Sequence, residues 1–160
     1  MNHQKTLGII YSMIKYKIRL WPQIDFPFHE PIKQTTEIPQ NLQDSIDSFQ
    51  SELNWDGMWG VDDAKKRLEG GWKFNTLSME SFGWEKVYGW IWLSPQAEAC
   101  NLYVHKYHRN HGWGEKLILS ILNIAKKDGH EWVWSEIDDW NKVSQRLVDK
   151  IGYKEASIYE

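Results

Sequence analysis

The stretch His108-Arg109-Asn110-His111-Gly112-Trp113-Gly114-Glu115-Lys116-Leu117, HRNHGWGEKL, decides how this chain is read. An arginine leads into two glycines one residue apart, and a helical apolar pattern begins at once. Leu117, Ile118, Ile121, Leu122 and Ala125 form one stripe of a helix over about 114–127, with Gly129 as its stop. A helix N-terminus carries unpaired backbone N–H groups and a partial positive charge. Glycines let the backbone turn sharply and approach a ligand closely, and successive amides there cradle an anion, phosphate above all. Arg109, with His105, Lys106, His108 and His111 nearby, adds positive or hydrogen-bonding character. The stretch therefore reads as a pyrophosphate site. It is not a P-loop, because neither glycine is followed by Lys-Ser/Thr. It is not a dinucleotide fingerprint either, because Leu117 stands where the third glycine belongs.

Downstream of the turn, residues 130–137 read as a strand, 141–151 as a helix closed by Gly152, and 153–159 as a last strand. Upstream, residues 98–104 read as a strand behind a turn at Pro95-Gln96. Residues 72–79 and 87–93 suggest a hairpin joined through SFGWE at 81–85. Asp62 is placed to cap a short helix through Leu68, ended by Gly70-Gly71. Leu42, Ile46 and Phe49 recur at helical spacing over 41–53, while the rest of 28–58 is polar and mixed. Apolar residues from Met13 to Leu20 alternate with Lys15, Lys17 and Arg19, which is strand periodicity, and Pro22 and Pro27 then break the pattern. Strand, glycine turn, helix, strand, helix, strand in the C-terminal half favours an α/β layer with helices packed on a sheet.

The chain has 160 residues, enough for one domain with a sizeable core, and its net charge of −3 gives no reason to expect nucleic-acid binding. Cys100 is the only cysteine, so there is no internal disulfide and no cysteine-based metal cage, and a reducing, cytoplasmic setting is expected. The N-terminal apolar run is short with no small-residue cleavage site after it, so no signal peptide is expected, and no stretch approaches the roughly 20 apolar residues of a membrane span. His105, His108 and His111 invite a metal reading, but no carboxylate or cysteine joins them at useful spacing, so no metal is expected. Eleven tryptophans point to an aromatic core or to an aromatic-lined pocket. Trp55, Trp59, Trp90, Trp92, Trp132 and Trp134 are the candidates for pocket walls, and the pairs 90/92 and 132/134 each share a strand face. Asp56, Asp62, Asp63, Glu98, Glu136 and Asp138 would suit a cation, and so much aromatic surface favours a dimer.

Arg-x-x-Gly-x-Gly at 109–114 follows a strand ending in Val104 and precedes Leu117 in a helix. Asn141 then opens the next helix, and Gly152-Tyr153 end it. This set resembles the GNAT family, the GCN5-related N-acetyltransferases, most clearly over about residues 85–158. The resemblance implies a single α/β (α+β) domain. Its central, mixed, largely antiparallel twisted sheet would have about six to seven strands flanked by helices, with acyl-CoA in the splay between the two central strands. Residues 1–12 would be an N-terminal extension, 13–84 the acceptor-side half and 85–160 the acyl-CoA-binding half. The implied co-substrate is acetyl-CoA or another acyl-CoA. Backbone N–H groups of Arg109, Asn110, His111, Gly112, Trp113, Gly114 and Glu115 would hold the pyrophosphate. The strand edge at Leu102, Tyr103 and Val104 would bond the pantetheine amides, and Asn141 would contact the pantetheine arm.

In this family the amine attacks the thioester directly, so Cys100 is assigned to the core. The amine, with a pKa of roughly 10, must lose its proton, and the thioester oxygen must be stabilised as it becomes an oxyanion. Glu98 lies six residues before Val104, on the same strand face by alternation, and is the first candidate for general base. It equally suits the exposed start of an edge strand. Glu136, with Asp138, is the second candidate and could instead bind a cationic substrate. Family members often carry a Tyr seven residues after the Asn as proton donor, but here that position is Val148. Ser144 could contact the thiol region, and Tyr153 is assigned to packing. The expectation is an N-acyltransferase moving acetyl to a primary amine of a small molecule or peptide, with no nucleic-acid or membrane partner. The alternative, favoured by Val148, is a CoA-binding sensor or interaction module without catalysis.

Overall fold

A computed structural model describes residues 12–53 and 59–156. Most of the expected N-terminal extension, Trp55 with Asp56, and the end of the last expected strand lie outside the described residues. The first strand, β1 (Met13–Arg19), buries Tyr16 and Ile18 and leaves Lys15, Lys17 and Arg19 on its other face, as alternation requires. A second strand, β2 (Ile32–Thr35), lies in the segment read as polar and mixed. It escapes the sequence pattern because it is four residues long and buries only its two ends. Two helices follow, α1 (Leu42–Leu53) and α2 (Val61–Glu69). Leu42 and Ile46 of α1 are buried, as their spacing predicts. Asp62 is not the cap of α2: Gly60 is, and its N–H donates to the Asp63 carboxylate at 2.8 Å. Asp62 sits in the first turn, where its charge favours the helix dipole.

The hairpin forms as predicted from β3 (Lys73–Ser81) and β4 (Trp84–Leu93). Phe82 and Gly83 at its tip both have positive φ, as a two-residue hairpin turn demands. The remaining elements are β5 (Ala99–Val104), a 3₁₀ turn at Lys106–His108, α3 (Trp113–Lys127), β6 (Trp132–Asp138), α4 (Lys142–Ile151) and β7 (Lys154–Ala156). Leu117, Ile118, Ile121, Leu122 and Ala125 of α3 are all buried, so the stripe read from the sequence is the packed face.

The seven strands of the described residues form a mixed α+β fold in two antiparallel sheets, ordered β2-β3-β4-β5 and β6-β1-β7. β1 therefore runs between two C-terminal strands, antiparallel to both, rather than beside the other elements of the 13–84 segment. One apolar cluster fills the space under α3, where Leu77, Ile91 and Leu93 of the four-stranded sheet meet Ile18 and Val133 of the other. A second cluster covers the opposite face of β3 and β4 with α1 and α2, and it is dominated by Trp59, Phe74, Trp90, Trp92 and Tyr103. The sheets meet at one parallel bridge between Glu98 and Trp134. Trp134 N–H donates to Ala97 O at 3.1 Å, and the Ser135 hydroxyl donates to Ala99 O at 2.9 Å. Beyond that point β5 and β6 part.

Candidate functional site

The parting of β5 and β6 leaves a slot of about 300 Å³, lined by Ala99–Leu102 on one side, Ser135–Asp138 on the other, and Ser144, Leu147, Val148 and Tyr153 from the α4 side. A larger chamber of about 750 Å³ lies between the α3 N-terminus and α4. Leu102, Asn141, Ser144 and Leu147 line both cavities. The chamber is the place the sequence assigns to a pyrophosphate. Of the residues assigned to it, Arg109, Asn110, Gly112, Trp113, Gly114 and Glu115 line it, whereas His111 does not.

The turn has the backbone that an anion cradle needs. Asn110 and Gly112 both take left-handed φ, at 65° and 83°, and peptide N–H groups in such alternation converge. Gly112 is the N-cap of α3, and Lys116 N–H is the amide that bonds back to its carbonyl, at 3.1 Å. The amides of Trp113, Gly114 and Glu115 are thus the unpaired first turn. Glycine is required at 112 by conformation rather than by room, since a Cβ there would meet no atom within 4 Å. At 114 a Cβ would lie 3.5 Å from Leu147 and 4.0 Å from Leu102, at the boundary between chamber and slot.

Arg109 does not aim its side chain at the cradle. Its Nε donates to Val104 O at 2.9 Å, and its guanidinium pairs with Glu52 at 2.6 Å. The arginine therefore ties the turn to β5 and to the last turn of α1. Positive charge in the chamber comes instead from Arg146 and Lys150, one turn apart on α4 and missed in the sequence. Lys150 also pairs with Glu115 at 3.0 Å. His105 meets Tyr88 edge-on and His108 lies tilted against it, at 6.0 and 4.2 Å between ring centroids. Among the described residues no three His, Cys, Asp or Glu side chains are grouped to hold a metal ion, and no helix is long and apolar enough to cross a membrane.

A bulge in β5 changes the reading of the candidate base. Trp90 pairs with Tyr103 but Trp92 pairs with Cys100, so two residues, Asn101 and Leu102, stand opposite one. Asn101 takes φ of 58° to do so. The extra residue reverses alternation along the strand. Val104 packs with the cluster under α3, whereas Cys100 packs with the tryptophan cluster. Glu98 therefore shares its face with Cys100 and not, as alternation alone suggested, with Val104. There it is half-buried, and burial, reinforced by Glu136, holds its carboxyl above the usual carboxylate range, against the pull of Arg67 and Lys15. Glu98 is not in the slot lining, but Glu136 and Asp138 are. Arg67, also missed in the sequence, lies over Trp72 at 4.4 Å and Trp92 at 5.1 Å and donates to Asn101 at 2.9 Å. Burial pushes the Cys100 thiol up to about 12, which keeps it protonated and in the packing role assigned to it.

Asn141 caps α4, its side-chain oxygen accepting from Ser144 N–H at 3.1 Å, and it lines both cavities. Val148 is buried at the slot wall, so no phenol stands at that position. Trp59, Trp90 and Trp92 are 8%, 0% and 0% exposed, which makes them core rather than pocket wall. Trp132 and Trp134 do share a face, but it is the outer face of the three-stranded sheet, beneath Lys17 at 4.5 Å and Lys15 at 4.9 Å.

Residues 39–153 match the family model for the acetyltransferase (GNAT) family. Over 66 residues the chain is 27% identical to the [ribosomal protein bS18]-alanine N-acetyltransferase of Haemophilus ducreyi, which covers 41% of this chain and 46% of that protein. The chain thus matches under half of that relative's length. In fold it is similar to a Trypanosoma brucei acetyltransferase, with a TM-score of 0.62 at 16% identity over 79% of this chain and 94% of the other. It is also similar to AAC(6')-Iy in complex with the bisubstrate analog CoA-S-monomethyl-acetylneamine, with a TM-score of 0.60 at 13% identity over 79% and 92%.

Proposed function

Because the chain belongs to the GNAT acetyltransferase family, we propose that it moves an acetyl group from acetyl-CoA to a primary amine of a small molecule or peptide by direct attack. One observation carries this reading: the left-handed Asn110–Gly112 turn aims the unpaired first-turn amides of α3 into a chamber that shares its lining with the slot between β5 and β6. The amides of Trp113, Gly114 and Glu115, with Arg146 and Lys150, hold the pyrophosphate. The bulged edge at Asn101 and Leu102, continuing to Val104, meets the pantetheine amides, and Asn141 holds the arm from the other side. Glu98 and Glu136 take up the proton that the attacking amine loses. A carboxylate with a raised pKa is the better base for this task.

The decisive test is calorimetric titration with acetyl-CoA and with CoA, repeated on Gly112→Val. A β-branched residue resists the left-handed backbone, so the variant should lose roughly 100-fold in affinity, about 2.7 kcal/mol. No binding by the wild type would end the reading. Thiol release should then follow across an amine panel. The relatives' names supply the first two acceptors, a peptide with N-terminal alanine and neamine. Val148 at the slot wall favours a second reading, binding without turnover, and CoA binding with no thiol release across the panel would select it.

A further inference from the structure

A notch of about 490 Å³ opens at the edge of the three-stranded sheet and shares no lining residue with the slot or the chamber. It exists because the strands of that sheet differ in length. β1 runs on to Arg19, but β7 begins at Lys154, opposite Lys17, so Ile18 and Arg19 have no partner in β7. One wall comes from residues 21–26, and it is held in place from α3: Asn123 donates to Phe26 O at 2.7 Å, and Lys126 donates to Pro22 O at 2.9 Å. The other wall includes Ile151 and Gly152, in the stretch of chain whose Val148 and Tyr153 line the slot. A concavity of this size whose walls are fixed before a guest arrives has the form of a small-molecule site.

The lining decides the chemistry of the guest. Trp21, Ile24 and Trp132 are 46%, 42% and 39% exposed, and all three border this one cavity, which makes an apolar patch rather than a scatter. Lys17, Arg19 and Lys154 add three cations to the same lining, against one carboxylate, Glu155. Among the described residues, none of these three cations is held in an ion pair or a side-chain hydrogen bond. Arg19 lies over Trp21 at 4.2 Å and over Trp132 at 5.3 Å, and Lys17 lies over Trp132 at 4.5 Å. A guanidinium over an indole keeps its in-plane N–H groups for an oxyanion. A cationic guest would be repelled by the same three side chains. We propose that the notch binds an organic acid, with a flat apolar body against the indoles and a carboxylate or phosphate head on Arg19, Lys17 and Lys154. The site stands apart from the acyl-CoA reading of the slot and does not depend on it.

Three probes that share one aromatic body test this: naphthaleneacetate, naphthyl phosphate and the neutral naphthaleneacetamide. Each is titrated into the full chain and followed by calorimetry and by backbone amide shifts of isotope-labelled protein. At least one acid should bind roughly ten-fold or more tightly than the amide, as charge-assisted contacts imply, and the tighter of the two identifies the head group. Its shifts should centre on Arg19, Trp21, Gly152 and Lys154. Arg19→Gln should remove the preference for acid over amide. Lys154→Gln should reduce it, and because that side chain is exposed the variant tests the charge without disturbing the fold. The assignment is overturned if neither acid binds, if the amide binds as tightly as both acids, or if both variants keep the wild-type preference. Shifts centred on the turn at 112–115 would also overturn it, because they would place the acids in the chamber.

Discussion

The two faces of β4 and β5 are built for opposite ends. On one, Trp59, Phe74, Trp90, Trp92 and Tyr103 pack together over the sheet. Phe74 stacks on Trp92 at 4.0 Å, and Trp59 meets Trp92 edge-on at 5.5 Å. Aromatic pairs of this kind contribute roughly 0.5–1.5 kcal/mol each beyond the area they bury. At the outer edge of the same sheet, β5 and β6 share one bridge and then separate, leaving a cavity lined by Cys100, Leu102, Glu136 and Tyr153. A ladder left unmade over most of a strand forgoes hydrogen bonds that a sheet ordinarily gains. The aromatic face gives the rigidity that lets the strand edge stay open.

Four changes probe this division, beginning with the largest effect. Trp92→Ala should destabilise the fold by roughly 3–5 kcal/mol, seen as a lower denaturant midpoint, with ligand binding lost only as the protein unfolds. Gly112→Val should instead abolish acetyl-CoA binding while the denaturant midpoint moves modestly. If the two variants behaved alike in both assays, core and cradle would not be separable. Glu98→Gln should slow transfer roughly 100-fold or more with acetyl-CoA affinity intact. Its wild-type pKa is raised, so the folded chain holds that proton more tightly than the unfolded chain does. The stability deficit therefore sets in as pH rises from the ordinary carboxylate range through the raised value. The Gln variant should melt no lower than wild type at neutral pH, and the acidic limb of the rate profile, which lies above the usual carboxylate range, should vanish. Smallest of all, Arg146→Ala should weaken CoA binding a few-fold and flatten its salt dependence, as loss of one exposed cation near a phosphate does. An unchanged salt slope would remove Arg146 from the chamber's charge.

The glycine turn and α3 were legible because two local rules, helix periodicity and left-handed glycine, agree with the tertiary arrangement there. The role of Arg109 was less so. Its spacing is visible in the sequence, but that its side chain is tied to Val104 and Glu52 depends on α1, more than fifty residues upstream. The face of Glu98 was misread because one extra residue at Asn101–Leu102 inverts alternation, and neither residue advertises a bulge. Arg67 escaped notice because a helical arginine followed by glycines reads as solvent-exposed, while its guanidinium in fact lies over two indoles.

The position of β1 has a consequence for synthesis. Met13 pairs with Asp138 and Arg19 with Trp132, so the strand has no native neighbour until the chain past β6 has been made. At ribosomal speed that interval is on the order of ten seconds. Throughout it, an apolar strand with two bare edges is available to any other nascent chain. Lys15, Lys17 and Arg19, at every second position, guard it, because their like charges oppose pairing between two copies. Once β6 arrives, the same three cations settle over Trp132 and Trp134. Residues that protect the waiting strand thus become its mortar when the sheet closes.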